Sequence, residues 1–159
     1  MNIRGMIKFS LIDYPDRIAC VIFVGGCNFR CPFCHNPHLV IDPESQPQMD
    51  EDVFIDFLKS RVRKIDALVI SGGEPALRPN LSTFLKKVKD LGFMVKIDTN
   101  GSQPDIIISN HSEGLIDMLS IDYKAPAAMY PRLTGRADPE IPGNVARTIR
   151  YAVEKGISL

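Results

Sequence analysis

The sequence has no net charge: Lys and Arg together number 19, and so do Asp and Glu. Without a basic excess there is no electrostatic footprint for a nucleic-acid backbone, and without a polybasic run there is none for an anionic membrane. No apolar stretch approaches the about 20 residues that a bilayer-spanning helix needs. The opening segment MNIRGMIKFSLIDYP holds no signal-peptide core, because Lys8 and Asp13 interrupt it. Internal repeats and low-complexity segments are absent. Together these absences lead to the expectation of a cytoplasmic chain with no nucleic-acid or membrane partner, in a compartment where thiols stay reduced. Cysteine is scarce, at four residues, and their distribution argues against a disulfide framework. Cys20 lies in the strand-like run RIACVIFV, where a free thiol behaves as a small hydrophobe.

What is present is an ordinary globular composition: 159 residues, 45% hydrophobic and 24% charged. This suits one domain spanning residues 1–159 with its own core. Short apolar runs at 19–24, 67–70, 93–97 and 115–121 read as strands buried on both faces. Between them, Phe54, Phe57, Leu58, Val62 and Ile65 mark one face of a helix over 51–64. Glu51 and Asp52 favour that helix's N-terminus. Leu81, Phe84, Leu85, Val88 and Leu91 mark a second helix, with Gly92 placed to end it. PDIIISN (104–110) predicts one or two helical turns, and Val145, Ile149, Ala152 and Val153 mark a last helix ended by Gly156. MIKFSLI (6–12) predicts an extra strand beside the first, and ISL (157–159) the start of another. IDPESQPQMD (41–50) reads as a loop. Strands alternating with helices predict an α/β fold with a parallel sheet.

The polar motifs are not scattered. GGCNFRCPFCHN follows the first strand, SGGEP the second, DTNG the third and DYK the fourth. Each sits just past the carboxyl end of its strand, where α/β barrels and open α/β sheets build their sites. Each motif alone has a plainer meaning: DTNG is a hairpin turn, SGGEP a tight turn before a helix, DYK a solvated strand end. Their convergence on one face with the thiols is what points to chemistry. His38 and His111 read as surface residues.

Cys27, Cys31 and Cys34 form a C-x3-C-x2-C pattern. Structural zinc wants four ligands, usually as two separated pairs, and no second pair exists. His35 is too close to Cys34 for both to bind comfortably. A cubic iron–sulfur cluster normally takes four thiolates, so three would leave one iron open to a ligand from outside the protein. Zinc, a catalytic cluster and an electron-carrying cluster all remain readings of the spacing alone.

C-x3-C-x2-C with Phe33 before the last cysteine, followed in order by GGEP, resembles the radical S-adenosylmethionine (SAM) superfamily. KFSLIDYPDRIACVIFVGGCNFRCPFCHNP, SGGEP, DTNG and IDYK are similar, more narrowly, to the activases of glycyl-radical enzymes. The likeness runs over nearly the whole chain and is weakest from Gln103 to Glu113. It implies a partial (β/α) barrel that here lacks the last strands. It implies a [4Fe–4S] cluster held by Cys27, Cys31 and Cys34, with SAM on the fourth iron. Gly72, Gly73 and Glu74 are implied at the amino group of the cofactor's methionine part, with Glu74 fixing the loop. Asp98, Thr99, Asp122 and Lys124 are implied near its carboxylate and ribose, Phe33 against adenine, and Asn36 as a further lining residue. The implied activity is reductive cleavage of SAM and removal of hydrogen from a glycine of a partner under anaerobic conditions. The implied partners are a glycyl-radical enzyme, anaerobic ribonucleoside-triphosphate reductase being the expected one, and a reduced flavodoxin- or ferredoxin-like electron donor. A small-molecule substrate, as in deazapurine synthases, is the alternative within the superfamily.

Overall fold

The computed structural model describes residues 1–158. Five strands form one sheet in the order β1-β2-β3-β4-β5: β1 (Ile3–Ser10), β2 (Ala19–Val24), β3 (Ala67–Gly72), β4 (Met94–Thr99) and β5 (Met118–Ile121). β2 to β5 pair in parallel, and β1 runs antiparallel along the edge of β2. The extra strand expected beside the first therefore exists, shifted to begin at Ile3. Ser158 bridges to Met118 in the parallel sense, so the expected further strand starts beside β5. Leu159 lies outside the described residues.

Helices fill the crossovers. They are α1 (Pro37–Ile41), α2 (Glu51–Arg61), α3 (Leu81–Asp90), α4 (Pro104–Ser112), α5 (Tyr130–Thr134) and α6 (Ile141–Glu154). Asp50 caps α2, its Oδ1 accepting from Asp52 N at 2.8 Å. α2 stops at Arg61, short of the expected Lys64, because Arg63 takes a positive φ. α4 is longer than the expected turn or two. Pro104 starts it, and Ile107 and Asn110 are buried against the sheet side. The expected start of β5 at Leu115 is displaced to Met118, since Leu115 closes the end of α4 through its N–H to Asn110 O. α5 carried no periodic signal, being only five residues long.

Phe54, Leu58, Phe84, Leu85, Val88, Ile107 and Ala152 from α2, α3, α4 and α6 pack with Cys20, Ile22, Leu68, Ile70, Val95, Ile97 and Leu119 in one core. Each large side chain buried there stabilises the fold by about 1.5–3 kcal/mol relative to exposure. This one-sided covering is that of a (β/α) barrel segment, not of a doubly wound sheet. The central strands are nonetheless buried on both faces as expected, Ala19, Val21, Ala67 and Val69 being at most 1% exposed on the side away from these helices. The opposite face holds only a small cluster, with Tyr14, Ala19, Val21, Ala67, Val69 and Met118 buried and Phe23 and Met94 half-covered. No described helix is long and apolar enough to cross a membrane.

Candidate SAM and iron–sulfur site

The segment from Gly25 to Asn36 has no regular secondary structure, so side chains and single hydrogen bonds must hold it. Gly25 N–H donates to Asn2 O (2.9 Å) and Gly26 N–H to Leu39 O (2.7 Å). Arg30 N–H donates to Thr134 O (2.6 Å), and its guanidinium returns to Cys27 O and Phe29 O at 2.7 and 2.8 Å. Phe29 is the apolar anchor, buried with Ala125, Tyr130, Ile141 and Val145, and Cys27 and Cys31 pack against the same cluster.

The end of β3 is stitched to this segment by backbone. Gly73 N–H donates to Val24 O (2.7 Å) and Glu74 N–H to Gly26 O (2.9 Å). A Cβ on Gly73 would lie 2.1 Å from Gly26 O, and Gly72 has φ near +100° with Val24 N only 2.7 Å from its Cβ direction. Only glycine permits this approach of two backbones. Glu74 is buried beneath it. Its Oε1 accepts from Ala76 N (3.0 Å) and Thr99 Oγ1 (2.7 Å), and its Oε2 from Asn100 N (2.7 Å). Burial pushes this carboxyl up from its ordinary value, and the three donors pull it back. Glu74 thus ties the end of β3 to the end of β4 and does not line the cavity.

Above it lies a cavity of about 340 Å³, within the range of small-molecule sites. Its walls include Cys27, Cys31, Cys34, Phe33, Asn36, Gly72, Gly73, Asp98, Thr99, Asp122 and Lys124. Every site residue expected from sequence is therefore in one place, with Glu74 as its support. Phe29, Val40, Ser71, Lys96, Asn100 and Ser120 also line it without having been singled out from sequence, as does His35, which was set aside as a ligand beside Cys34. Lys96 had a signal, a lone cation in an apolar strand. Asn100 was hidden inside a motif that reads as a turn. Two acid–base pairs face the space: Lys96 Nζ to Asp98 Oδ1 at 2.6 Å and Lys124 Nζ to Asp122 Oδ2 at 2.7 Å. Lys124 Nζ also sits 5.6 Å from the Phe33 ring centroid. His38 is exposed as expected, whereas His111 is half-buried and meets the Tyr151 hydroxyl at 3.0 Å.

All four cysteines are free. Burial pushes the Cys27 thiol up to about 11 and Cys20 to about 12. Cys31 is also raised by burial, against the pull of Lys124. Burial thus favours the protonated thiol at Cys27 and Cys31 until a metal displaces the proton. Among the described residues, no three His, Cys, Asp or Glu side chains are arranged to hold one metal ion. Structural zinc requires its ligands to converge on one ion at about 2.3 Å from each sulfur. A cubane makes a different demand, taking each thiolate to a different iron. Three separated thiols on a wall facing a nucleotide-sized space fit a cluster plus SAM.

Residues 21–159 match the radical SAM superfamily model. A Methanocaldococcus jannaschii protein with the provisional name glycyl-radical enzyme activating enzyme MJ1227 is 41% identical over 125 residues, covering 77% of this chain and 50% of that protein. The 7-carboxy-7-deazaguanine synthase of Halobacterium salinarum is 29% identical over 121 residues, covering 76% of this chain and 42% of its own length. The chain therefore spans about half the length, or less, of these curated relatives. Among solved structures, anSMEcpe with bound AdoMet superposes with a TM-score of 0.63 at 18% identity, over 84% of this chain and 39% of that one. The fold, the three-thiol cavity and the family match agree: this chain belongs to the radical SAM superfamily, whose enzymes use a [4Fe–4S] cluster and S-adenosylmethionine.

Proposed function

We propose that residues 1–159, as one cytoplasmic domain, activate a glycyl-radical enzyme by removing hydrogen from one of its glycines. The observation that carries this reading is the 41% identity to a protein named for that activity, joined to a cavity whose walls suit the cofactors. Cys27, Cys31 and Cys34 would hold three irons, leaving the fourth to SAM. When bound, that pair supplies one-electron reductive cleavage of the sulfonium, and the protein supplies position and exclusion of water. Gly72 and Gly73 let the β3 backbone approach the amino group of SAM's methionine part. Lys124 presents a point charge for its carboxylate, Asp98 and Asp122 offer acceptors for the ribose hydroxyls, and Thr99, whose hydroxyl donates to Glu74, lines the same region. Phe33 gives an apolar face for adenine, and Asn36 a polar edge.

A protein substrate is supported by the rim. Phe33 is 47% exposed, and Tyr123, between two lining residues, is 61% exposed. Aromatic side chains are enriched in protein interfaces, and these two offer a partner a contact surface at the mouth of the site. Anaerobic ribonucleoside-triphosphate reductase is the partner that the sequence resemblance favours, with a flavodoxin- or ferredoxin-like protein as electron source. The likeness to 7-carboxy-7-deazaguanine synthase favours a second reading, a small-molecule substrate.

One experiment separates them. Reconstituted, reduced protein is incubated with SAM and the anaerobic reductase, then exposed to oxygen. The proposal expects a glycine-centred EPR signal on the reductase and a shortened reductase chain by mass spectrometry. SAM cleavage that requires a small purine-like substrate, with an intact reductase, would overturn it.

A further inference from the structure

Cys27 differs from the other two cavity thiols in what touches its sulfur. Phe29 N–H donates to Cys27 Sγ at 3.3 Å, and Asn100 Nδ2 donates to it at 3.7 Å. Among the described residues, no other residue donates a hydrogen bond to the sulfur of Cys31 or Cys34, Cys31 meeting only its own backbone N–H. The Asn100 amide is held in one orientation by its neighbours. Its Oδ1 accepts from Ser102 N–H at 3.0 Å, and its Nδ2 also donates to Asn28 Oδ1 at 2.8 Å. Asn28 Nδ2 in turn donates to Ser102 Oγ at 2.8 Å. Turning the Asn100 amide over would face an NH2 group against the Ser102 N–H, donor against donor. Asn100 and Ser102 are buried, so each such mismatch carries a desolvation cost. The Asn100 backbone N–H is meanwhile fixed by Glu74. The residue is thus clamped at both ends with one amide hydrogen left for the thiolate.

We infer that Asn100 is a positioning residue that tunes the cluster, its Nδ2–H···Sγ bond to Cys27 raising the cluster's reduction potential. This rests on Cys27 being a cluster ligand. The reduced cluster carries more negative charge on its sulfurs than the oxidised one, and a hydrogen bond to sulfur stabilises it selectively. A cluster that must accept an electron from a biological donor before it can reduce a sulfonium gains from such a donor. The closed ring of Asn100, Asn28 and Ser102 keeps it aimed.

The test is an EPR-monitored redox titration of anaerobically reconstituted protein, comparing wild type with Asn100→Ala, Asn100→Ser and Ser102→Ala. Serine at position 100 can still accept from Ser102 N–H but offers no hydrogen within reach of the sulfur. Both position-100 variants should hold full iron and sulfide and titrate at a more negative potential than wild type. Ser102→Ala, which loosens the clamp but leaves the donor, should shift it less. Proton ENDOR after exchange into heavy water should lose one exchangeable coupled proton in Asn100→Ser. An unchanged potential in both position-100 variants, or loss of the cluster in both, would overturn the inference. Failure of the ligand assignment itself would look different, as a Cys27→Ala protein that still assembles an unaltered cluster.

Discussion

The two faces of the same sheet are built for different purposes, and β4 shows this within one strand. Val95 and Ile97 are fully buried against the helices. Met94, Lys96 and Asp98 alternate with them on the other side, where Lys96 and Asp98 reach the cavity. Period-two alternation divides a strand in this way automatically. The helix-covered face holds the continuous apolar core, and the open face carries charge, glycine and the approach to the thiols. Changes on the first should therefore be read out as stability with cofactor assembly intact. Changes on the second should be read out as cofactor assembly with the fold intact.

The largest effect belongs to the cavity side. Cys31→Ala should abolish cluster assembly and SAM cleavage altogether, measured by iron content and 5′-deoxyadenosine release, while circular dichroism stays as in the wild-type apo-protein. The helix side gives the contrast. Leu85→Ala removes a fully buried side chain of α3 and should cost about 3 kcal/mol by urea denaturation, with the remaining folded protein still taking up iron. Glu74→Gln lies where the two faces meet. It sets an NH2 group among three donors, which should cost about 2 kcal/mol and also weaken SAM binding, because Thr99 and Asn100 lose their anchor. Cys20→Ser should have the smallest effect, about 1 kcal/mol from a hydroxyl buried among apolar groups, with normal cluster content. Loss of the cluster there would blur the division, since Cys20 faces the helices.

Much of this was legible in the sequence where signals were redundant. β2 and β3 stand out as apolar runs, and the motifs after them combine residue type with position, so the cavity's thiols and glycines could be named in advance. α3 was equally plain, with its apolar stripe ending at a glycine. α4 was read too short, since IIIS has no helical period and only the sheet against it gives Ile107 and Asn110 an inside. The apolar runs gave both faces of the central strands as buried, and they are, but they left no sign that the second face gives way to Lys96 and Asp98 at the cavity. Asn100 escaped notice for a different reason. Asn-Gly is a turn signal in any context, and its role depends on a sulfur 73 residues earlier in the chain. Such long-range pairings leave no local trace.

The central claim is a three-thiolate cluster with one iron left for SAM. Anaerobic reconstitution with iron and sulfide, followed by EPR of the reduced protein before and after adding SAM, tests it most directly. A [4Fe–4S] signal that changes on addition of the nucleotide is the expected result. Bound zinc without a cluster, or a cubane whose signal is indifferent to SAM, would contradict it.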